Sequence, residues 1–478
     1  MDELVIFLSI GIPVIAVLVC AWLRFQPRPN FALIPTCCLA VLLVGSVFGH
    51  DFFHLSIGPI PLTTDRVLLG MAGAFFAWRF LISKEHLEPI NRLDGAILIW
   101  LALITISTLS AKFTIMENMP ISRLLFFNWM PAILYFVTRQ CRMGIRELKL
   151  ITVSMGLFGL YLALTAVAEM RSYDALIFPK YILTSEFQEF FGRGRGPFLN
   201  PIANGTFLTV CFCCVLAWWP RSNNRLRFGL VILAMVISMG VYATLTRSNW
   251  LSLVAACGLF VFLPSPQRVK GGMLILVTLA AIILAPMLSD KLFSFKRDRD
   301  VSQADMEQSA KLRPLFAIVA WKMFQDRPLA GVGFGQYAKA KYPYLKDPDT
   351  GKPLTLTRSF MQHNVFLAYL TESGLIGLSL LLLLLIQATR VCWTVWSQRS
   401  TDLMARQMGL IGLVLLSCYV INGMFHDVSI VPQMHMLFLF WLGLVNNIYS
   451  RPLAFVGQRE EMDTVPYTSY SSTESLAA

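Results

Sequence analysis

The sequence predicts an all-α polytopic membrane protein with about 12–13 transmembrane helices. Three observations carry that prediction. The 478 residues are 56% hydrophobic and only 14% charged, against about 25% charged and about 45–50% apolar in a soluble globular domain. Apolar stretches of the about 20 residues that a spanning helix needs recur along the whole chain. Lys and Arg crowd every second connection between those stretches, as they do where charge orients helices in a bilayer. The same composition excludes a soluble enzyme, and it excludes disorder, which needs low hydrophobicity.

Windows of spanning length place apolar segments at 4–23, 31–49, 66–82, 95–110, 121–137, 150–170, 201–219, 228–245, 249–263, 272–288, 363–386, 407–425 and 430–449. The first is not read as a signal peptide. Asp2 and Glu3 precede it in place of a basic region, and no small-residue cleavage site follows. One set of connections carries Arg24 and Arg28; Arg79, Lys84 and Arg92; Arg139, Arg142, Arg146 and Lys149. It continues with Arg221, Arg225 and Arg227; Arg268 and Lys270; Arg390, Arg399 and Arg406; Arg451 and Arg459. The short connections between them hold far fewer, chiefly Arg66, Lys112 and Arg123. By the positive-inside rule the rich set is cytoplasmic and the N-terminus lies outside.

The chain then divides into N-terminal helices (1–170), an outer Arg-containing loop (171–200), central helices (201–288), a large outer loop (289–362), C-terminal helices (363–450) and a cytoplasmic tail (451–478). The tail is rich in Ser, Thr and Tyr and is expected to be disordered. The large loop carries 13 Lys/Arg against eight Asp/Glu. Within it, residues 309–325 place Leu312, Leu315, Phe316, Val319 and Met323 at helical spacing, which predicts an amphipathic helix.

Eight of the ten cysteines fall inside predicted spans, and Cys141 and Cys392 lie in cytoplasmic connections, so no disulfide framework is implied. Cys211-Phe212-Cys213-Cys214 is dense, but no His or carboxylate follows at ligand spacing. Small helix-packing residues fit better there than a metal site. His50 and His54 flank Asp51 as a weak metal or proton site or as interfacial anchors. His426 and His435 bracket the last turn between spans. His363 differs, because it stands where the large loop re-enters the membrane.

Four outer-face features carry the chemistry. In Gly192-Arg193-Gly194-Arg195-Gly196-Pro197-Phe198-Leu199-Asn200-Pro201, two arginines sit on a glycine-rich backbone just before a span. Arg suits phosphate because its planar fork meets two oxygens at once and stays charged; a basic loop touching lipid headgroups is the alternative. In Thr246-Arg247-Ser248-Asn249-Trp250, Arg247 stands at the membrane boundary with no acid within several residues. Its partner is distant in sequence or is a ligand anion, unless the side chain snorkels.

The third feature runs from Arg313-Pro314 to Pro328-Leu329-Ala330-Gly331-Val332-Gly333-Phe334-Gly335. No strand leads into these glycines, so a dinucleotide fold fails and a tight turn after the amphipathic helix is expected. The fourth is Arg358 to Leu367, containing His363 and Asn364, followed by Glu372-Ser373-Gly374. Glu372 lies about two and a half helical turns past His363. A carboxylate so deep is functional, or it is bonded to a neighbouring Arg or hydroxyl. Fixed positive charge beside one imidazole suits a membrane-bound diphosphate, with neutral His363 able to accept a proton from an attacking hydroxyl.

At these residues the chain resembles the O-antigen ligase/O-antigen polymerase superfamily of bacterial membrane glycosyltransferases. The resemblance covers about residues 190–380, through GRGPFLNPIANG, TRSNWL, PLAGVGFGQY and QHNVFLAYLTESGLIGL. It implies a GT-C-type helical fold in the bacterial inner membrane with its active site on the periplasmic face, and it implies no cofactor and no metal. The implied donor is a glycan on undecaprenyl diphosphate. The implied acceptor is lipid A core for a ligase, a growing saccharide for a polymerase, or a protein hydroxyl for an O-oligosaccharyltransferase. Carried over, Arg193 or Arg195, with Arg247, would hold the diphosphate, and His363 would be the general base in an inverting transfer. Arg313, Arg358, Asn364 and Glu372 would support them. The fifteen residues between Arg358 and Gly374 resemble the spacing of an Arg–Gly motif in the polymerase branch, so ligase and polymerase both stay open.

A polysaccharide-lipid transporter or flippase is the reading from a different class. It favours paired intramembrane charges and internal repeats, whereas the polar residues here gather on one face. A lipid-binding scaffold needs no His at the loop–helix junction. The formal charge of +12 is spread over cytoplasmic loops. Attraction to anionic membrane lipids accounts for it without nucleic acid; polysaccharide-assembly proteins are further expected partners.

Overall fold

A computed structural model describes residues 33–57, 60–83, 87–110, 119–184, 190–266, 270–271, 303–346, 351 and 353–456. The predicted spans at 4–23 and 272–288 and the tail beyond 456 lie outside the described residues. Every other predicted span is a helix, as an apolar medium requires of a backbone that must satisfy its own polar groups. In order they are α1 (Leu33–Val47), α2 (Thr64–Ser83), α3 (Arg92–Ser110), α4 (Pro120–Gln140), α5 (Ile145–Arg171), α6 (Pro201–Leu216), α7 (Asn224–Ala243) and α8 (Arg247–Phe262). After them come α9 (Gln303–Asp326) in the large loop, α10 (Val365–Ser397), α11 (Leu403–Phe425) and α12 (Pro432–Ser450). Among the described residues, α3, α4, α5, α6 extended to Arg221, α7, α10 and α11 are long and apolar enough to cross a membrane, while α1 and α8 are shorter apolar helices. The chain is an all-α polytopic membrane protein. Its small exception is an antiparallel hairpin, His54–Ile57 with Ile60–Thr63, between α1 and α2.

The centre of the bundle is α6, buried from Pro201 to Val215, beside α12, buried from Met434 to Ile448. Around them α10 packs on α11 and α3, α8 on α11 and α6, and α7 on α5 and α6. Small residues let these backbones approach closely. A Cβ at Gly240 of α7 would lie 2.6 Å from the Cα of Ala163 on α5.

Among the described residues the connections gather at two ends. At one end Arg451 pairs with Glu88 at 2.7 Å, Arg139 with buried Asp94 at 2.8 Å, and Arg221 with Asp402. Residues 451–456 are ordered there: Val456 bridges to Thr401, and Asp402 N donates to Phe455 O at 2.7 Å. The expected disorder of the tail therefore does not reach its first six residues. At the opposite end Tyr181 joins the carbonyls of Val47 and Pro197, Gly194 N donates to Ala243 O, and Phe334 N donates to Ser107.

The large loop is built on α9. Its predicted apolar face, Leu312, Leu315, Phe316, Val319 and Met323, is buried together with Tyr337, Leu345 and Leu354. The glycine turn that follows does more than join two segments. It docks into a break in α10, where Gly374 has φ +65° and ψ −161°. Val332 N and Gly333 N donate to the carbonyls of Thr371 and Glu372, and Leu375 N and Ile376 N donate to those of Pro328 and Leu329. The loop thus supplies the hydrogen bonds that the interrupted helix lacks. A Cβ at Gly374 would lie 2.3 Å from Leu329 O, and one at Gly331 would lie 2.5 Å from Thr371 O, so both positions need glycine.

Candidate functional site

His363 is the last residue before the cap of α10, and it holds a left-handed backbone, φ +51°. Few non-glycine residues adopt that conformation, although His is among those enriched in it. The next residue explains it. The Asn364 side chain accepts from Phe366 N and Leu367 N at 2.9 and 3.0 Å, capping α10, and its Nδ2 donates to Met424 O at 3.0 Å. The chain must therefore turn sharply at 363, which lifts the imidazole off the helix axis. The ring lies 5.2 Å from that of Phe316 on α9 and 6.2 Å from that of Phe360, while the residue as a whole stays exposed. The enclosing protein, then the guanidinium of Arg313 and the ammonium of Lys341, hold its pKa below the usual 6.5. A neutral imidazole results, which is the form able to accept a proton.

Arg313 reaches from α9 with its guanidinium over the ring of Phe425, at the end of α11, 5.4 Å away. Arg358 lies over the ring of Tyr342 at 5.4 Å and is exposed.

Arg247 opens α8 at its first helical position, after Leu245 at φ +48° and the cap residue Thr246. Arg193 is brought to the same turn: its Nη2 donates to Thr246 Oγ1 at 2.6 Å and its Nε to Thr244 O at 3.3 Å. Arg195 is placed differently. Its Nε is 3.6 Å from Glu169 Oε2, its Nη2 donates to Ile182 O at 2.6 Å, and the Glu169 carboxylate also receives Arg195 N and Gly196 N. Both arginines are buried. The doublet therefore has one member facing Arg247's turn and one folded onto the end of α5.

Hydrogen bonds tie these segments to the last turn of α11. Asn422 Nδ2 donates to Thr206 of α6 at 3.0 Å and lies 3.5 Å from Ser252 of α8. Asn249 Nδ2 donates to Pro201 O at 2.7 Å, and Asn364 holds Met424. The starts of α6, α8 and α10 thus converge on the C-terminal end of α11. Arg193 bonds the Thr246 turn that precedes Arg247, while Asn364, next to His363, bonds Met424 and Arg313 lies over Phe425.

Glu372 is turned inward. It accepts from Arg123 at 3.2 Å and from Tyr337 N at 3.4 Å. Arg123 also donates to Ser429, which donates in turn to Asp427 at 2.5 Å. Burial pushes the Asp427 carboxyl above its ordinary range. This network fixes the helix break and the glycine turn against α4 and the turn before α12.

Sequence reasoning missed several of these participants. Arg123 carried a signal, as one of the few basic residues in the sparse connections. Glu169 lay hidden in the last turn of a span. Thr246 and Tyr337 stood in the TRSNWL and PLAGVGFGQY motifs without being given a role, and Lys341 offered no signal. His50 and His54 stack on each other with ring centroids 4.2 Å apart at the surface. Among the described residues no group of three or more His, Cys, Asp or Glu forms a metal-holding cluster.

Residues 230–382 match a family model described as O-Antigen ligase. No curated protein matches the chain. The matched stretch runs from α7 to the far side of the break in α10, and it contains Arg247, Arg313, His363 and Glu372. Over that stretch this polytopic membrane chain is similar to the O-antigen ligase family.

Proposed function

We propose that the outer end of the bundle is the active site of a glycosyltransferase in a bacterial inner membrane, facing the periplasm. It moves a glycan from a polyprenyl diphosphate to a hydroxyl acceptor. What supports this reading is that the turn before Arg247 receives Arg193, that α8 and the residue after His363 are both bonded to the last turn of α11, and that Arg247 and His363 lie in the family match.

His363, neutral at neutral pH, takes the proton of the acceptor hydroxyl on its free ring nitrogen. The freed oxygen pair attacks the anomeric carbon from the face opposite the leaving group. The bond from that carbon to the diphosphate oxygen breaks with inversion, and the lipid diphosphate leaves carrying the electron pair. Arg247 and Arg193 stabilise the charge that builds on it, as fixed cations do where solvent is excluded. Arg195, matched to Glu169, holds the loop that presents Arg193. Arg313 and Arg358 border the route to the imidazole from the outer side, and Asn364 and Glu372 keep the helix start and the loop in register.

Mass analysis of lipid-linked intermediates tests the reading in cells that carry His363→Ala in place of the wild-type protein. Accumulated polyprenyl-linked glycan is the expected result, and wild-type surface glycan from a correctly inserted His363→Ala protein sinks it. The form of the accumulated material assigns the acceptor: long unattached chains for a ligase, single repeat units for a polymerase. Accumulation of unaltered lipid-linked glycan on the far side of proteoliposomes, with no covalent transfer, is the outcome a flippase would give.

A further inference from the structure

Lys341 has no part in the transfer proposed above, yet it is almost wholly buried, 2% exposed, whereas Lys339 and Lys346 of the same loop are exposed and Lys322 is half-buried. Its Nζ donates to Phe360 O at 2.5 Å and to Thr357 O at 3.1 Å, and lies 5.3 Å from the centre of the Tyr337 ring. Those two carbonyls belong to the turn that ends three residues before His363. Tyr337 in turn is anchored through its backbone N–H to Glu372, and so to the broken helix. A continuous line of contacts runs from the buried Arg123–Glu372 pair through Tyr337 and Lys341 to the turn that carries the imidazole.

We infer that Lys341 is a positioning residue for His363: its ammonium clamps the Thr357 and Phe360 carbonyls and so fixes the turn on which the imidazole stands, with its charge directed at the same ring. A buried ammonium needs such acceptors, and Thr357 O, which also accepts from Phe360 N at 3.2 Å, makes the clamped turn a closed one. The charged groups acting on the His363 ring come from two elements, Arg313 from α9 and Lys341 from the turn after it, and both are cations. Arg358, on the segment of His363 itself, is directed at Tyr342, and α11 presents Phe425 and then His426 at its C-terminal cap. Burial lowers the Lys341 ammonium to about 8, so the clamp is charged at neutral pH and weakens above it.

The inference uses His363 as the reacting base, so its test has a readout independent of transfer. Diethyl pyrocarbonate acylates neutral imidazole, and peptide mass spectrometry follows its reaction with His363 across pH in the full-length protein. In Lys341→Met the midpoint of that reaction moves to higher pH, toward 6.5, because a cation has left. Turnover at saturating donor falls by roughly 10- to 100-fold, as expected when a reacting group loses its placement, while donor KM changes little. Lys341→Gln keeps two donors without the charge; it shows the same displaced midpoint with a smaller loss of turnover. A folded variant of either kind with the wild-type His363 midpoint and turnover overturns the inference. Should neither variant insert, the wild-type protein decides the matter: turnover declines on an alkaline limb near pH 8 as Lys341 discharges, and a flat profile to pH 9.5 overturns it. A displaced midpoint in Lys341→Met alongside a fully active His363→Ala would leave the clamp standing and remove the base.

Discussion

Three helices start at the same end of the bundle in the same way, and the differences among them separate structure from chemistry. Leu199-Asn200 precedes α6, Leu245-Thr246 precedes α8 and His363-Asn364 precedes α10. The first residue of each pair is left-handed, with φ +49°, +48° and +51°. Each is followed by a polar cap residue, and both asparagines accept from the first amides of their helices. A bulky side chain in that conformation costs about 1–2 kcal/mol, so the surrounding contacts must hold it. Leu199 is held in an apolar cluster with Phe52, Ile177 and Tyr181. His363 is exposed, beside two aromatic rings and two cations. The turn is a shared means of bringing chain back into the membrane; the side chain placed on it decides what that corner of the molecule does.

The largest effect should come from exchanging the chemistry while keeping the turn. His363→Ala should lower turnover by about 10²- to 10⁴-fold with little change in thermal stability. Leu199→Ala should do the reverse, with a loss of about 2–5 kcal/mol and near-normal turnover per folded molecule. Product formed per folded protein, measured beside unfolding in detergent, would show whether the two turns divide in this way; equal losses of turnover would erase the distinction.

A second contrast lies within the arginine doublet. Arg195→Ala leaves Glu169 buried without its cation and should cost about 3–5 kcal/mol, with most of the loss recovered in Arg195→Ala/Glu169→Gln. Arg247→Ala should instead weaken turnover in a protein of nearly normal melting temperature. A stable, inactive Arg195→Ala protein would reverse these assignments.

The caps come next. Asn200→Ala and Asn364→Ala should each cost about 1 kcal/mol. Only Asn364→Ala should also reduce turnover, because Asn364 alone ties the His363 turn to Met424.

The smallest effect is in pH. Burial, Arg313 and Lys341 lower the His363 pKa in the folded protein, so turnover should persist somewhat below pH 6.5 and then fall as the ring is protonated. The unfolded chain binds that proton more readily, so stability should also decline as pH drops below 6.5. Arg313→Gln removes one of the two cations and should move the acid limb upward by a fraction of a unit (pH–rate profiles of the two proteins). A limb that stays in place would leave Arg313 with no electrostatic hold on the ring.

What the sequence makes legible follows from which physics is local. Spans are legible because about 20 apolar residues suffice for a helix in lipid. The sorting of connections into two ends is legible because charge bias is written in the loops. The apolar face of α9 follows from its period, and His363 is marked by its residue type at a loop–helix junction. Distant pairings are not legible in this way. Glu372 finds Arg123 across 249 positions and Arg195 finds Glu169 across 26, and neither spacing has a local signature. The three left-handed turns are equally hidden, since two of them carry leucine, a residue with no preference for that conformation. The break in α10 sits inside a run that reads as one uninterrupted apolar span, because a single glycine there signals little without the segment that docks on it.

That docked segment limits how the enzyme can work. Residues 328–335 are riveted to the broken helix by four main-chain bonds. Peeling the segment away would leave those amides and carbonyls without their partners. The base of the large loop is therefore a fixed floor, and any gating that admits a bulky glycan must hinge farther along the chain, beyond Gly335.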